Sequence, residues 1–229
     1  MNLTNNEIKY IKSLYQAKYR KLENKFIVEG PHLVTEAKMY GEVLEIFTID
    51  PTLDGKLISE NEMKRICLTD TVVKQLAICK YINHQELSNR ILLLDRIQDP
   101  GNMGTIMRTA VAFGFNTLVL NKGCVDIYND KVIRSSQGAI FKLNYIYSDI
   151  VDFIKEHDTY DIYGTDVVNG IDVKDVLKSQ NLGVVLGNEG QGMSEEIAKV
   201  CKKNIYIKTT NTESLNVSIA GAIIMYELK

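Results

Sequence analysis

The sequence lacks the features that mark membrane, secreted and strongly basic proteins. Its apolar runs, such as Ile91–Leu94 and Leu182–Leu186, are far too short to cross a bilayer, and Met1–Asn6 is polar where a signal peptide needs an apolar core. We therefore expect a cytoplasmic protein with no membrane contact. The formal net charge of -2 argues against a protein that binds nucleic acid through bulk positive charge alone.

Metal-binding and disulfide-forming residues are also few. The chain has 4 cysteines and 3 histidines, and none lies at the spacing of a CxxC pair or of a metal-ligand pair. We expect neither disulfides nor a metal site, and we interpret the cysteines as small buried hydrophobic residues. The cysteines are Cys67, Cys79, Cys124 and Cys201, and the histidines are His32, His84 and His157.

The first part of the chain predicts a small α/β domain. In a sequence of 229 residues, 45% hydrophobic and 24% charged, a folded protein of one large or two smaller domains is expected. The predicted elements are a helix over 4–22 capped by Thr4, a strand Lys25–Val28, a helix Pro31–Tyr40 stopped by Gly41, a strand Leu44–Thr48 and a helix Thr69–Ile78. The polar stretch Asn83–Asn89 is the best linker candidate, which gives domains over 1–85 and 91–229 with a linker at 86–90.

The second part alternates strands and helices more strongly. Its strands are continuous apolar runs, which predicts a parallel sheet covered on both faces. The predicted strands are Ile91–Leu94, Thr117–Leu120, Asp161–Thr165, Gly183–Leu186 and Asn204–Ile207, and the predicted helices are Gly104–Phe113, Ser194–Cys201 and Ser214–Leu228.

A basic stripe in the first part is a candidate RNA-binding surface. Its cations are interleaved with tyrosines, and such residues can neutralise phosphates and stack on unpaired bases. The alternative, a solvated helix face, is equally compatible with the pattern. The candidate RNA-binding residues are Lys9, Lys12, Lys18, Arg20 and Lys21.

Two glycine-rich turns of the second part follow strands, at the sheet edge where open α/β sheets bind ligands. The turn Gln98–Gly104 leads into a helix that presents Arg108, which could hold a phosphate, stabilise an oxyanion or simply lie on the surface. The turn Gly187–Gly192 has phosphate-loop spacing but is followed by Met193, which excludes a P-loop. Its glycines suit a wall against a flat ligand. A third segment, Glu213–Ser218, opens the last helix, where Ser214 could act as a cap or in catalysis.

Together these segments resemble the motifs of the SpoU/TrmH branch of the SPOUT RNA methyltransferases. Leu94–Gly114 is similar to the first motif, Val184–Met193 to the second and Glu213–Ser218 to the third, in the same order. The N-terminal part, with Phe26–His32, is similar to the family's substrate-binding domain. The stretch Ile207–Thr212 departs from the family pattern.

The resemblance implies a sheet with a deep trefoil knot, a homodimer that uses the final helix, and S-adenosylmethionine as cofactor. The reaction it implies is methyl transfer to a ribose 2′-hydroxyl of RNA. In this sequence the cofactor contacts would be Leu186, Gly187, Gly192, Ile207 and Leu215. The catalytic positions would be Asn102, Arg108, Glu189, Ser214 and Asn216, with Arg108 stabilising the emerging alkoxide or a phosphate because a guanidinium is a poor base.

Three readings of the substrate and activity are open at this point. The N-terminal domain favours ribosomal RNA, most of all 23S ribosomal RNA, over tRNA. A non-catalytic RNA-binding or assembly protein with the same fold is the alternative from another class, although the retained Arg108, Glu189 and Asn216 argue against it.

Overall fold

The structure is a computed structural model that describes residues 3–82, 86–167, 169–212 and 214–229. The elements up to the first sheet's last strand are α1 (Asn5–Ser13), α2 (Ala17–Glu23), β1 (Lys25–Glu29), α3 (Pro31–Tyr40), β2 (Val43–Thr48), β3 (Lys56–Leu57), α4 (Glu60–Ile66) and β4 (Gln75–Lys80). They are followed by β5 (Arg90–Leu94), α5 (Pro100–Phe113), β6 (Thr117–Leu120), α6 (Asp130–Ser136), β7 (Asn144–Tyr147), α7 (Ile150–Glu156), β8 (Asp161–Thr165), β9 (Ile171–Asp172), β10 (Leu182–Leu186), α8 (Glu195–Val200), β11 (Lys203–Tyr206) and α9 (Val217–Leu228).

Two compact units share these elements. The first comprises Met1–Ile82 and Asp126–Phe141, and the second comprises Asn83–Val125 and Lys142–Lys229. Residues 126–141 lie within the predicted domain 91–229, but in the structure they belong to the first unit. The predicted linker at 86–90 stays a prediction, and the first three residues of Asn83–Asn89 lie outside the described ranges.

The first unit is built on a mixed sheet in the order β1-β4-β2-β3. Strand β4 pairs antiparallel with both β1 and β2. Its consecutive residues from Gln75 to Cys79 are all buried, so both faces of the strand are covered. This burial explains one wrong prediction. The apolar run ending the stretch Thr69–Ile78 indicated a helix, but it belongs to β4, and a short apolar run cannot be assigned to helix or strand by periodicity alone.

The predicted single helix over 4–22 is two helices, α1 and α2. Thr4 caps α1 as predicted, since its hydroxyl accepts from the backbone N–H of Glu7 at 3.2 Å while the Glu7 carboxylate accepts from the N–H of Thr4. The break follows α1, where the guanidinium of Arg20 donates to the carbonyls of Leu14 and Tyr15. Those carbonyls are thereby satisfied without a continuing helix.

The second unit contains a sheet in which seven of the described strands run parallel, in the order β7-β6-β5-β10-β8-β11-β9. The predicted parallel α/β sheet is therefore confirmed. Its central strands β5 and β10 are buried along almost their whole length. Ile91, Leu93 and Val185 belong to an apolar cluster with Phe153 of α7 and Ile197 of α8.

Helices α5 and α9 pack against each other. Gly221 of α9 lies so close to β10 that an added methyl would meet the Leu186 side chain at 2.8 Å. Helix α5 begins earlier than predicted, since Asp99 caps it and Pro100 occupies its first turn. Helix α9 begins later than the predicted Ser214, with Asn216 as its cap.

Candidate active site at the carboxyl edge of the sheet

A pocket of about 630 Å³ lies in the second unit where β8, β10 and β11 end. This is the edge at which parallel α/β sheets bind ligands, and the volume falls in the range of small-molecule sites. The five positions expected to contact a cofactor all line it, namely Leu186, Gly187, Gly192, Ile207 and Leu215. Their contact with a cofactor stays a prediction, but the structure brings them to one place.

One wall of the pocket is the loop Gly187–Gly192. The loop folds back on itself, because the N–H of Asn188 donates to the carbonyl of Gly192 at 3.0 Å and the reverse bond is 2.9 Å. The fold brings the backbone of Met193 against Gly187, where an added methyl would lie 2.2 Å from the Met193 nitrogen. Only glycine fits at Gly187 in this conformation.

Hydrogen bonds connect the three motif segments beside this wall. The amide nitrogen of Asn102 donates to the Glu189 carboxylate at 3.1 Å, and the amide nitrogen of Asn216 donates to the Asn102 side-chain oxygen at 3.0 Å. The Asn216 oxygen accepts from the N–H groups of Ser218 and Ile219 at the start of α9. Three of the five predicted catalytic residues therefore form one polar network, although their chemical roles stay predictions.

The other two predicted catalytic residues lie outside this network. Ser214 lines the pocket, but it does not cap α9 as its position indicated. Arg108 is exposed on α5 and makes no hydrogen bond or ion pair with any described residue. Its guanidinium is thus available to a ligand from solution. Glu213, the first residue of the third motif, lies outside the described residues.

Sequence patterns missed a buried ionic group beneath the same wall. Asp95, which directly follows β5, is only 1% exposed and pairs with Arg96 at 3.1 Å. The bond to Asp95 raises the pKa of Arg96 above its ordinary value. A charged dipeptide immediately after the apolar run Ile91–Leu94 is the signal in the sequence.

The predicted RNA-binding residues belong to the first unit and divide into two groups. Lys9, Lys12, Lys18 and Lys21 are exposed, and Tyr10 and Tyr19 beside them are each 37% exposed. Arg20 was wrongly placed in this group, because its side chain is 5% exposed and its guanidinium pairs with Asp126 at 2.7 Å.

The described cysteines and histidines do not come together in one site. Cys79 is buried as expected, whereas Cys67, Cys124 and Cys201 are partly exposed, and all four are free thiols. Burial raises the pKa of both Cys79 and Cys201 to about 12, which keeps these thiols protonated and unreactive at neutral pH.

Within residues 3–82, 86–167, 169–212 and 214–229, no cluster of histidine, cysteine or acidic residues could hold a metal ion. No helix in these ranges is long and apolar enough to span a bilayer. His84 lies outside the described ranges.

The parallel sheet, the pocket at its carboxyl edge and the networked motif segments define an α/β ligand-binding enzyme fold. Residues 89–226 match the SpoU rRNA Methylase family, and residues 5–81 match the MRM3-like substrate binding domain. This chain belongs to the SpoU rRNA methylase family.

Individual relatives extend this similarity over the whole chain. The chain is 33% identical to the Bacillus subtilis 23S rRNA (guanosine(2553)-2'-O)-methyltransferase RlmP, covering 98% of this chain and 96% of that protein. A TrmH-family structure from Porphyromonas gingivalis superposes with a TM-score of 0.87 at 31% identity, covering 99% of this chain and 98% of that one.

A third comparison is at the level of the fold. The SpoU methyltransferase AviRb from Streptomyces viridochromogenes, solved in complex with the cofactor AdoMet, has a TM-score of 0.85 at 20% identity. The alignment covers 98% of this chain and 97% of AviRb.

Proposed function

We propose that this chain transfers a methyl group from S-adenosylmethionine to a ribose 2′-hydroxyl of 23S ribosomal RNA. The carrying observation is the hydrogen-bonded chain of Glu189, Asn102 and Asn216, which joins three segments of distant sequence beside one pocket. The Bacillus subtilis relative, similar along almost its full length, supports 23S ribosomal RNA as the substrate and guanosine 2553 as the first position to test.

The pocket fits the cofactor. Leu186, Ile207 and Leu215 supply apolar walls, and the glycines of the loop Gly187–Gly192 present backbone without side chains. Such a surface suits the flat adenine ring and leaves backbone groups to bind its polar edge. When bound, the cofactor supplies a methyl group already activated by its sulfonium.

The residues of this chain would align a weakly acidic hydroxyl with that methyl group and stabilise the negative charge that develops as the hydroxyl proton is released to solvent. Arg108, which is exposed and unpaired among the described residues, stabilises the developing alkoxide or an adjacent phosphate. Asn102 and Glu189 orient the ribose, Ser214 contributes a hydroxyl at the pocket, and Asn216 fixes the start of α9.

The test uses 23S ribosomal RNA and tRNA purified from cells that lack this protein, incubated with enzyme and methyl-labelled cofactor. We expect alkali-resistant label at a ribose of 23S ribosomal RNA, and none with Arg108→Ala, whose cofactor affinity should stay close to that of the unmodified protein. Label on a base would refute 2′-O transfer. Label in tRNA alone would move the substrate assignment, and absence of label from both RNAs would favour a non-catalytic protein.

The exposed lysines of the first unit would hold the RNA backbone. Replacing Lys9, Lys12, Lys18 and Lys21 by glutamine should weaken RNA binding. It should also reduce the salt dependence of binding, because fewer counterions are released when fewer phosphates are contacted. Cofactor affinity should not change. An unchanged salt dependence would remove this surface from the RNA site.

The remaining expectations from the family resemblance are a cytoplasmic location, a trefoil knot and a homodimer that contains α9. Ile219 and Tyr226 of α9 are 50% and 55% exposed, which suits an apolar helix covered by a second copy. Sedimentation of the protein with Ile219→Lys should show a shift toward monomer. A dimer unaffected by this change would place the interface elsewhere.

A further inference from the structure

Asp95 is a buried carboxylate whose oxygens accept hydrogen bonds from Arg96, Asn121 and Ser194. One of its oxygens accepts from the Arg96 Nε at 3.1 Å and from the Asn121 amide at 3.0 Å. The other accepts from the Arg96 Nη2 at 3.1 Å and from the backbone N–H of Ser194 at 3.1 Å. Because Ser194 lies just beyond the loop Gly187–Gly192, Asp95 fixes the point where that loop ends.

Arg96 binds the loop at both of its ends. Its Nη1 donates to the Gln191 side-chain oxygen at 2.9 Å and its Nη2 to the Gly192 carbonyl at 3.3 Å. Its own carbonyl accepts from the Asn188 amide at 2.9 Å. A planar guanidinium held on one edge by Asp95 can present its other edge to a second group without losing orientation, which an ammonium cannot do.

The backbone of Arg96 is consistent with a site held by its surroundings. Its φ of 57° lies in the left-handed region that residues other than glycine rarely adopt. Such a conformation persists where neighbouring contacts enforce it. Here the contacts are those of Arg96 to Asp95, Asn188, Gln191 and Gly192.

We propose that Asp95 and Arg96 form a clamp that holds the loop Gly187–Gly192 in its cofactor-binding shape, which makes Arg96 a positioning residue for S-adenosylmethionine. The inference rests on the proposed function, since it assumes that the pocket takes this cofactor. Arg96 would act through the loop backbone, without contacting the cofactor. Its loss should therefore weaken cofactor binding while leaving RNA binding intact.

The first experiment measures cofactor affinity by titration calorimetry on the full-length protein. Arg96→Gln should weaken binding of S-adenosylmethionine by about tenfold or more, the equivalent of one charge-assisted hydrogen bond. Arg96→Lys should also weaken it, because the charge remains but the fork is lost. This second variant also serves if Arg96→Gln does not fold.

Arg90 provides a matched control at the opposite end of the same strand. Its guanidinium donates to the carbonyls of Ser179, Gln180 and Leu228, far along β5 from the pocket edge. Arg90→Gln should lower the thermal midpoint without changing cofactor affinity. Equal losses of affinity in the Arg90 and Arg96 variants would show a general effect on folding and overturn the clamp.

Amide hydrogen exchange of the cofactor-free protein supplies a readout independent of binding. In Arg96→Gln, the amides of Gly192 and Ser194 should exchange faster, since their acceptors are the carbonyl of Asn188 and the carboxylate of Asp95. Unchanged protection or unchanged cofactor affinity in both Arg96 variants would overturn the clamp. Failure of the unmodified protein to bind S-adenosylmethionine would instead refute the proposed function and, with it, the clamp's assigned role.

Discussion

Replacing Gly187 by alanine tests whether the loop Gly187–Gly192 is the wall of a cofactor site. The added methyl would lie 2.2 Å from the Met193 nitrogen and 2.4 Å from the Gly192 carbonyl carbon, whereas ordinary contact begins at 3.4 Å. Both obstructing atoms belong to the backbone, so no side chain can rotate away. The loop must therefore move by roughly 1 Å, a distance large compared with the tolerance of close-packed atoms.

The cost of that movement sets the expected loss of affinity. Overpacking of this kind costs about 2 kcal/mol or more, which corresponds to at least about thirtyfold weaker binding of S-adenosylmethionine if the loop must return to its original shape to bind. Calorimetric titration measures the loss, and a thermal scan checks that the protein remains folded.

Two other glycines of the same loop calibrate the result. An added methyl at Gly192 meets nothing within 4 Å, but its φ of 68° is left-handed, so Gly192→Ala should cost about 1 kcal/mol through backbone strain alone. At Gly190 the nearest atom lies 3.7 Å away and the φ is not left-handed, so Gly190→Ala should have the smallest effect. Any other order of the three losses would refute the loop as the wall that shapes the site.

Three further predictions concern other parts of the molecule. Hydrogen bonds from Ser59 and Leu3 lower the pKa of Glu62 from 4.5 to about 2. The ionised carboxylate therefore stabilises the folded protein above pH 4.5, and this stabilisation is lost as the pH falls toward 2. Glu62→Gln should make the thermal midpoint fall less steeply with pH between these two values. Asn102→Asp should abolish methyl transfer at neutral pH, since it sets a carboxylate where an amide donates to Glu189, and activity equal to that of the unmodified enzyme would contradict the network. Arg20→Gln should destabilise the protein by about 2 to 3 kcal/mol because it breaks a buried ion pair, and it should leave the salt dependence of RNA binding unchanged. Lys18→Gln should reduce that salt dependence and leave the stability unchanged.

Local sequence patterns predicted the second unit better than the first. Ile91–Leu94 and Thr117–Leu120 are continuous apolar runs bounded by turns, a pattern that buried parallel strands produce, and both are strands in the structure. In the first unit the stretch Thr69–Ile78 also ends in a short apolar run, but the sequence pattern predicts a helix there. Periodicity alone could not separate the two cases because β4 is buried on both faces.

Residues whose environment depends on distant partners could not be predicted. Arg20 looked like one more cation of a basic stripe, but its partner Asp126 is 106 positions away in sequence. Asp95 and Arg96 directly follow a strand in sequence, but their partners Gln191, Gly192 and Ser194 lie more than ninety positions further along the chain. Burial of a charge is decided by such partners, and no local pattern records them.

Residues 126–141 belong to the first unit, which limits how the two parts of the chain can be separated. Phe26 of β1 packs on Tyr128 and Phe141, with ring centroids 4.8 Å and 5.8 Å apart, and Asp126 pairs with the buried Arg20. Removal of residues 1–85 would therefore strip the apolar and ionic partners from a segment that remains. Surface lysine substitutions test RNA binding without that damage.

The network at the site has a fixed direction that explains why three separate segments must occur together. The first N–H groups of α9 can only donate, so the Asn216 oxygen faces them and its nitrogen must face outward. That nitrogen sets the orientation of the Asn102 amide, whose own nitrogen is then directed at the Glu189 carboxylate, an acceptor only. Each amide is thus held in one of its two orientations by a group that cannot reverse its role. An aspartate at either asparagine would place two acceptors against each other, so the chain of bonds requires amides at both positions and a carboxylate at its end.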